Sequence, residues 1–254
     1  MTVGGADAAE GPFAFRLKLP AGVEAWVYPS ALVVAVVFSA LVAYHHAHQP
    51  VALAIILLIG LVLSDLAHEL AHLVVARRFG LACDTIVLSV DGAFVFLEEP
   101  KSRASTIAIA FAGPAANLLI AGVAFAIWGL SPLAPSQHLP GFVTPLPSSP
   151  TLAHEAAFFL GVFNLAFGLS NLAPAVPTDG GVILRAALPG RVSERAASLL
   201  VASLGLVFAV LSTVVLIASV LAMVPLYLPP SFGDNFREFR RAWRMAPGQA
   251  EPGL

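Results

Sequence analysis

The sequence predicts an all-α polytopic membrane protein, with about five to six transmembrane helices and a small β-hairpin or sheet at the membrane surface. Three observations carry this reading. Apolar residues make up 58% of the 254 residues and charged residues 11%, with a mean hydropathy of +0.87. That is more apolar surface than a water-soluble fold can bury. The apolar residues fall into runs of membrane-spanning length, separated by polar or proline-rich connections. Two short stretches alternate in polarity or flank an Asp-Gly turn, which is strand rather than helix patterning. The net charge of −2 gives no argument for a nucleic-acid partner. The single cysteine, Cys83, excludes an internal disulfide and reads as a small apolar filler.

Residues 1–29 read as an N-terminal tail and short hairpin. The first 11 are rich in Gly and Ala and predict disorder. No basic start precedes an apolar run, so no cleavable signal peptide is expected and the first span serves as the insertion signal. Phe13 to Leu19 alternates apolar and basic residues, and Val23 to Tyr28 follows after Pro20-Ala21-Gly22. This predicts an amphipathic hairpin at the membrane surface. A first span covers about 30–44. His45, His46 and His48 then form an interfacial polar turn closing at Gln49-Pro50, with no acidic or sulfur ligand close by in sequence.

The second span, about 51–79, ends in Arg77-Arg78. Thr85–Val90, Asp91-Gly92 and Ala93–Leu97 predict a second hairpin lying at the membrane surface. The third span, about 106–130, contains Gly113-Pro114-Ala115-Ala116-Asn117. Asn117 reads first as an interhelical hydrogen-bonding residue. The proline-rich loop 131–150 holds His138, which reads as solvated. The fourth span starts near His154-Glu155 and breaks after about residue 172, at Asn171-Leu172-Ala173-Pro174-Ala175-Val176-Pro177-Thr178-Asp179-Gly180-Gly181. Two prolines three apart exclude regular helix here. Non-helical backbone at membrane depth is tolerated only where protein buries it or a wet cavity adjoins it. Asn164 and Asn171, seven apart, share one helix face.

The last apolar stretch, about 196–228, exceeds one span and predicts either a tilted helix or a tight pair. The transmembrane core therefore extends over 30–228. The tail, 229–254, is basic and amphipathic and suits a membrane surface. Arg77, Arg78, Lys101 and Arg103 follow the second span, and Arg185, Arg191 and Arg195 follow the fourth. They place both connections and the N-terminus in the cytoplasm. Five spans would put the four-arginine tail outside; a sixth, short or re-entrant segment within 196–228 removes that conflict.

The second span carries His68-Glu69-Leu70-Ala71-His72. Residues four apart share a helix face, so both imidazoles can meet one metal ion. Glu69 sits one step round, placed to act on water at the metal. Ionisable groups in an apolar span are costly and mark function. A hydrolytic site needs a third ligand. Asp179 leads, because it lies just past the broken span and near the same end of the bundle as His72. His154 and Glu155 belong to the opposite end. Asp179 reads equally well as a turn residue capping with Gly180. Asp65, one turn before Glu69, is either a partner of a metal-facing histidine or a carboxylate lining the cavity.

These motifs resemble those of the site-2 protease family of intramembrane zinc metalloproteases. The resemblance covers roughly residues 13–195. It rests on His68-Glu69-Leu70-Ala71-His72, on Ala112-Gly113-Pro114-Ala115-Ala116-Asn117-Leu118, and on the Asn171–Gly181 segment, in that order. It implies that His68, His72 and Asp179 hold one Zn2+ per chain, with Glu69 as general base and acid. It also implies that Asn171 helps to seat the substrate, with Pro174 and Pro177 in the same extended segment. The implied partners are the lipid bilayer and a membrane-spanning protein substrate, cut near the cytoplasmic face. Arginine far outnumbers lysine, which points to a high-GC bacterium and its cell membrane. Ala71, Asp65 and Val182 depart from the residues common in the family, and none of these removes a ligand or the base. No PDZ-like insert is visible and the sixth span of many members is not distinct. The competing reading is a zinc-dependent membrane transporter, or a homologue that binds substrate without cutting it.

Overall fold

A computed structural model of the chain describes residues 14–47, 49–89, 92–96, 98, 100–131, 150–188, 192–221 and 232–245. Among these the order is β1 (Phe15–Leu19), β2 (Val23–Val27), α1 (Pro29–His46), α2 (Pro50–Arg78), β3 (Thr85–Ser89) and β4 (Gly92–Phe96), then α3 (Arg103–Leu130), α4 (Leu152–Asn171), α5 (Asp179–Ala187), α6 (Glu194–Leu221) and α7 (Phe232–Arg244). Helices α2, α3, α4 and α6 are long and apolar enough to cross a membrane, and α1 is a shorter apolar helix. The chain is an integral, multi-pass membrane protein.

Helix α2 shows how the bundle is oriented. Val51, Ile55, Ile59 and Leu63, each four apart, are 54–73% exposed. Leu53, Leu57, Leu61, Ser64, His68 and His72 on the other face are at most 8% exposed. An exposed Val/Ile/Leu stripe is costly in water and neutral against lipid. The polar groups thus point into the protein. At about 1.5 Å per residue the 29-residue helix is about 43 Å long, more than the ~30 Å hydrocarbon core.

Both ends of the long helices are set by local chemistry. Pro29 and Pro50 start α1 and α2, where a missing N–H costs nothing. At the end of α2, Gly80 takes φ +76°, Gly80 N–H bonds Arg77 O, and Leu81 N–H bonds Ala76 O. This is a Schellman closure, and the positive φ explains the glycine. Ser102 and Ser105 cap α3 reciprocally. Packing between spans relies on small residues. A Cβ at Gly161 would meet the Phe125 ring at 2.9 Å, and one at Gly168 would press on Pro114 O and Asn117 Cβ at 3.2 Å.

The two predicted hairpins join into one four-stranded sheet, in the order β1-β2-β3-β4. β1/β2 and β3/β4 are antiparallel, and β2 runs parallel to β3. No local pattern announces this parallel pairing, because α1 and α2 intervene between the two strands. In β2 the odd positions Val23, Ala25 and Val27 are buried. They pack with Ile86 and Leu88 of β3 against Leu73 and Ala76 of α2 and Ile109 of α3. Arg77 fastens this arrangement, its Nε donating to Cys83 O at 2.9 Å and its Nη1 to Ala21 O at 3.0 Å. The sheet therefore sits over the end of α2 that carries the histidines, with β4 as an edge among the described residues.

Some expectations change. His45 and His46 finish α1 as helix instead of forming a turn; His48 lies outside the described residues. Asp91, the tail 1–13 and the loop containing His138 also lie outside them. Helix α6 is continuous to Leu221, so one long helix occupies most of the last apolar stretch; 222–231 lie outside the described residues.

Cys83 is 6% exposed, and burial pushes its thiol above its ordinary range. The folded protein in detergent should resist a maleimide at neutral pH and react fully after denaturation, as read by mass spectrometry.

Candidate metal centre

The site begins with two histidines whose ring orientation is fixed from behind. His68 Nδ1 lies 2.5 Å from Asn117 Oδ1. Asn117 spends its Nδ2 on Asn164 Oδ1 at 2.9 Å, so its oxygen is the end facing His68. Asn164 in turn donates to Ser64 Oγ at 3.0 Å and to Leu160 O at 2.9 Å. Ser64 Oγ donates to Gly60 O. This buried chain joins α2, α3 and α4, and Asn117 and Asn164 are both 0% exposed. His72 Nδ1 lies 2.7 Å from Ile109 O of α3. Pro114, inside α3, removes the backbone donor that would have met Ala110 O.

Both Nδ1 atoms face oxygens that only accept, so each neutral ring carries its proton on Nδ1 and a lone pair on Nε2. The two Nε2 atoms are 3.1 Å apart. Asp179 Oδ2, at the start of α5, lies 3.2 Å from His68 Nε2 and 3.5 Å from His72 Nε2. It is a buried oxygen with no hydrogen-bond donor of its own. Three lone-pair atoms facing one another repel unless a cation lies between them. A tetrahedral ion with bonds of about 2.0–2.1 Å would separate its ligands by about 3.3 Å. The observed triangle of 3.1, 3.2 and 3.5 Å has that size. A divalent metal therefore fits these residues.

Space for it is kept by Gly113. A Cβ there would lie 2.5 Å from His68 Nε2 and closer still to His72 Nε2. Glu69 is 4% exposed, and its carboxylate falls within 4.8 Å of the histidine ligand atoms. Asp179 offers its oxygen to both Nε2 atoms, whereas Glu69 occupies the adjacent helix position.

The broken segment delivers Asp179 by close backbone packing. Thr178 caps α5, its hydroxyl accepting from Gly181 N–H. That hydroxyl also contacts Ala173 O at 2.5 Å and Ala175 O at 3.1 Å. Any Cβ at Gly180 would overlap Leu172 O, and any at Gly181 would overlap Ala175 O. The paired glycines thus let α5 start beneath the strap formed by 172–178.

The sequence-predicted residues divide. His68, His72 and Asp179 converge, with Glu69 beside them and Asn117 directly behind His68. Asn171 closes α4, its Nδ2 donating to Phe167 O at 3.2 Å. Pro174 and Pro177 lie in the strap, and Pro177 is exposed. Asp65 is half-buried and stands outside the triangle. Sequence reasoning passed over Asn164 as a site residue, although an asparagine in an apolar span is itself a signal. Nothing in the sequence singles out the Ile109 carbonyl.

The model of peptidase family M50 matches residues 54–212. A candidate zinc metalloprotease of Mycobacterium tuberculosis, Rip3, is 38% identical over 129 residues, which is 50% of this chain and 30% of that protein. The zinc metalloprotease MJ0392 of Methanocaldococcus jannaschii is 31% identical over 151 residues, 59% of this chain and 39% of that one. The chain thus spans about a third of the length of the curated relatives it matches. Among solved structures, the site-2 protease from Methanocaldococcus jannaschii superposes with a TM-score of 0.55 at 21% identity. That match covers 95% of this chain and all of the solved one.

Asn164→Ala would leave Asn117 Nδ2 without its buried acceptor. A destabilisation of about 1–3 kcal/mol is expected, read as a lowered thermal midpoint in detergent. Gly113→Ala should leave the helices intact by circular dichroism and abolish metal uptake, read by elemental analysis.

Proposed function

The chain belongs to peptidase family M50, the site-2 protease family, and from that premise we propose that it is a zinc metalloendopeptidase that cuts membrane-spanning segments of other proteins. The observation that carries this reading is the convergence of His68 Nε2, His72 Nε2 and Asp179 Oδ2 with Glu69 beside them. Zinc is the metal named for the relatives, and the two-nitrogen, one-oxygen donor set suits it. A transporter or a binding protein needs the ligands but has no need of a buried carboxylate next to them.

His68, His72 and Asp179 would hold the ion, with the Nδ1 partners Asn117 and Ile109 fixing the rings. When bound, zinc acts as a Lewis acid that polarises a peptide carbonyl and acidifies water. Glu69 takes a proton from the attacking water and returns it to the leaving nitrogen as the C–N bond breaks. A helical substrate hides its carbonyls in its own hydrogen bonds, so it must unwind locally. The β4 edge offers backbone pairing for the unwound stretch. Asn171 has amide chemistry suited to a peptide backbone, and Pro174 and Pro177 keep the neighbouring strap extended. A shallow, open depression between α2 and α3 has Ala67, Ala71, Ala112 and Ala115 among its lining residues, with Leu70, Val74, Val75 and Arg78 beside them. Small residues admit the close approach of another helix. The basic residues Arg77, Arg78, Lys101 and Arg103 support a cytoplasmic position for this end of the bundle, and the proposed membrane is a bacterial cell membrane.

Glu69→Gln in reconstituted protein should retain zinc and lose cleavage of a membrane-spanning substrate by about 10²–10⁴-fold. Asp179→Ala should lose zinc together with activity. Zinc flux into proteoliposomes without any proteolysis would instead support transport.

A further inference from the structure

Helix α7 was expected to rest on a membrane surface, but one of its faces is turned into the protein. Asn235, in its first turn, is 0% exposed. Its Oδ1 accepts from Val176 N–H at 2.9 Å, and its Nδ2 donates to Val176 O at 2.7 Å. One side-chain amide thus satisfies both backbone groups of a single strap residue, as a neighbouring β-strand would. Val176 stands between Pro174 and Pro177, and three residues before Asp179. The prolines have no N–H to give, so the strap cannot hold its own shape through helix or sheet bonds. Thr178 fixes its inner side; Asn235 fixes its outer side.

The approach of Asn235 depends on α6. A Cβ at Gly205 would overlap Asn235 Oδ1 and lie 3.1 Å from Ala175 Cα. Gly205 thus lets α6 back both the amide and the strap. One turn along the same face of α7, Glu238 accepts from Arg185 Nη2 at 3.0 Å. Arg185 also lies 3.7 Å from Glu194 at the start of α6. The α7 face therefore grips the chain on both sides of Asp179, at Val176 before it and at Arg185 after it.

We propose that Asn235 is a positioning residue for the metal centre: by clamping the Val176 peptide it sets the place of Asp179 Oδ2 opposite His68 and His72. This rests on the reading of Asp179 as a metal ligand. It assigns the C-terminal helix to the active-site framework. It also means that the Val176 edge is filled by the protein itself, which leaves backbone pairing with substrate to β4.

The test uses full-length protein loaded with Co2+, with Asn235→Leu, Asn235→Asp and Asp179→Ala compared with wild type. Leu removes both bonds at similar volume; Asp keeps the acceptor for Val176 N–H and drops the donor. The expected result is metal loss to a chelator at least 10-fold faster in Asn235→Leu, with Asn235→Asp intermediate, and altered cobalt absorption bands. Measurements are made well below the melting point of each metal-free variant, so general destabilisation alone leaves both readouts unchanged. If Asn235→Leu does not fold, Asn235→Asp decides by the same two readouts. Wild-type release rates and spectra in the folded variants would overturn the proposal, as would faster proteolysis with metal fully retained. If Asp179→Ala keeps cobalt as tightly as wild type, the ligand reading itself fails. If Asp179→Ala loses it while the Asn235 variants do not, only the clamp fails.

Discussion

Everything in this protein depends on how two imidazole rings are committed from behind. Because Asn117 Oδ1 and Ile109 O take the Nδ1 protons, both Nε2 lone pairs are turned to a point they share with Asp179 Oδ2. In a low-dielectric bundle such a cluster of electron pairs is unfavourable by itself. A cation between them would relieve it, which is the arrangement proposed above. That one requirement explains features otherwise scattered over the chain: a glycine in the middle of α3 and asparagines buried in apolar helices. Each serves either to hold a ring or to leave room between them.

The second requirement is that a carboxylate reach the same point from a separate part of the chain. A continuous α4 would carry its side chains past the site. The break after Asn171 solves this by spending backbone regularity. Pro174 and Pro177 stop the helix, Thr178 restarts it, and Gly180 and Gly181 let the new helix begin under the strap with no room for a Cβ. The backbone polar groups exposed by the break are then met one by one. Ala173 O and Ala175 O meet Thr178, and both groups of Val176 meet Asn235. Irregular backbone at this depth is stable only with that degree of internal pairing.

Much of this was legible in the sequence, and the limits are physical. The spans were readable because lipid-facing stripes and proline starts are local. The His68–His72 pair was readable because four-residue spacing fixes a shared face. Asp179 was narrowed to one of two roles, ligand or turn residue, and it holds both positions at once: it starts α5 and faces the histidines. The parallel β2/β3 pairing was not readable, because it joins residues 61 apart through two helices and leaves no periodic trace. Nor was the use of Ile109, since a carbonyl acceptor carries no residue code. Asn235 was hidden for a related reason. In a tail of arginines and aromatics it looks like one more polar residue on a surface helix, and only the position of Val176 gives it a task.

The C-terminal helix shows most clearly how the two requirements meet. Its pattern is amphipathic, with Phe232, Phe236 and Trp243 exposed by about half or more, so sequence alone assigns it to a membrane surface. Yet Asn235 and Ala242, about a quarter-turn round the helix, are 0% exposed. Lipid cannot bond an amide, so burial of Asn235 has to be compensated within the protein, and the strap is where two unpaired backbone groups need the same thing. Each need answers the other. The strap gains a fixed outer side without a strand, and α7 gains an anchor that apolar contacts with α6 alone would not specify. On the proposed reading, docking of α7 and placement of Asp179 are a single packing event, and the metal centre depends on α7 as well as on the helices that carry its ligands.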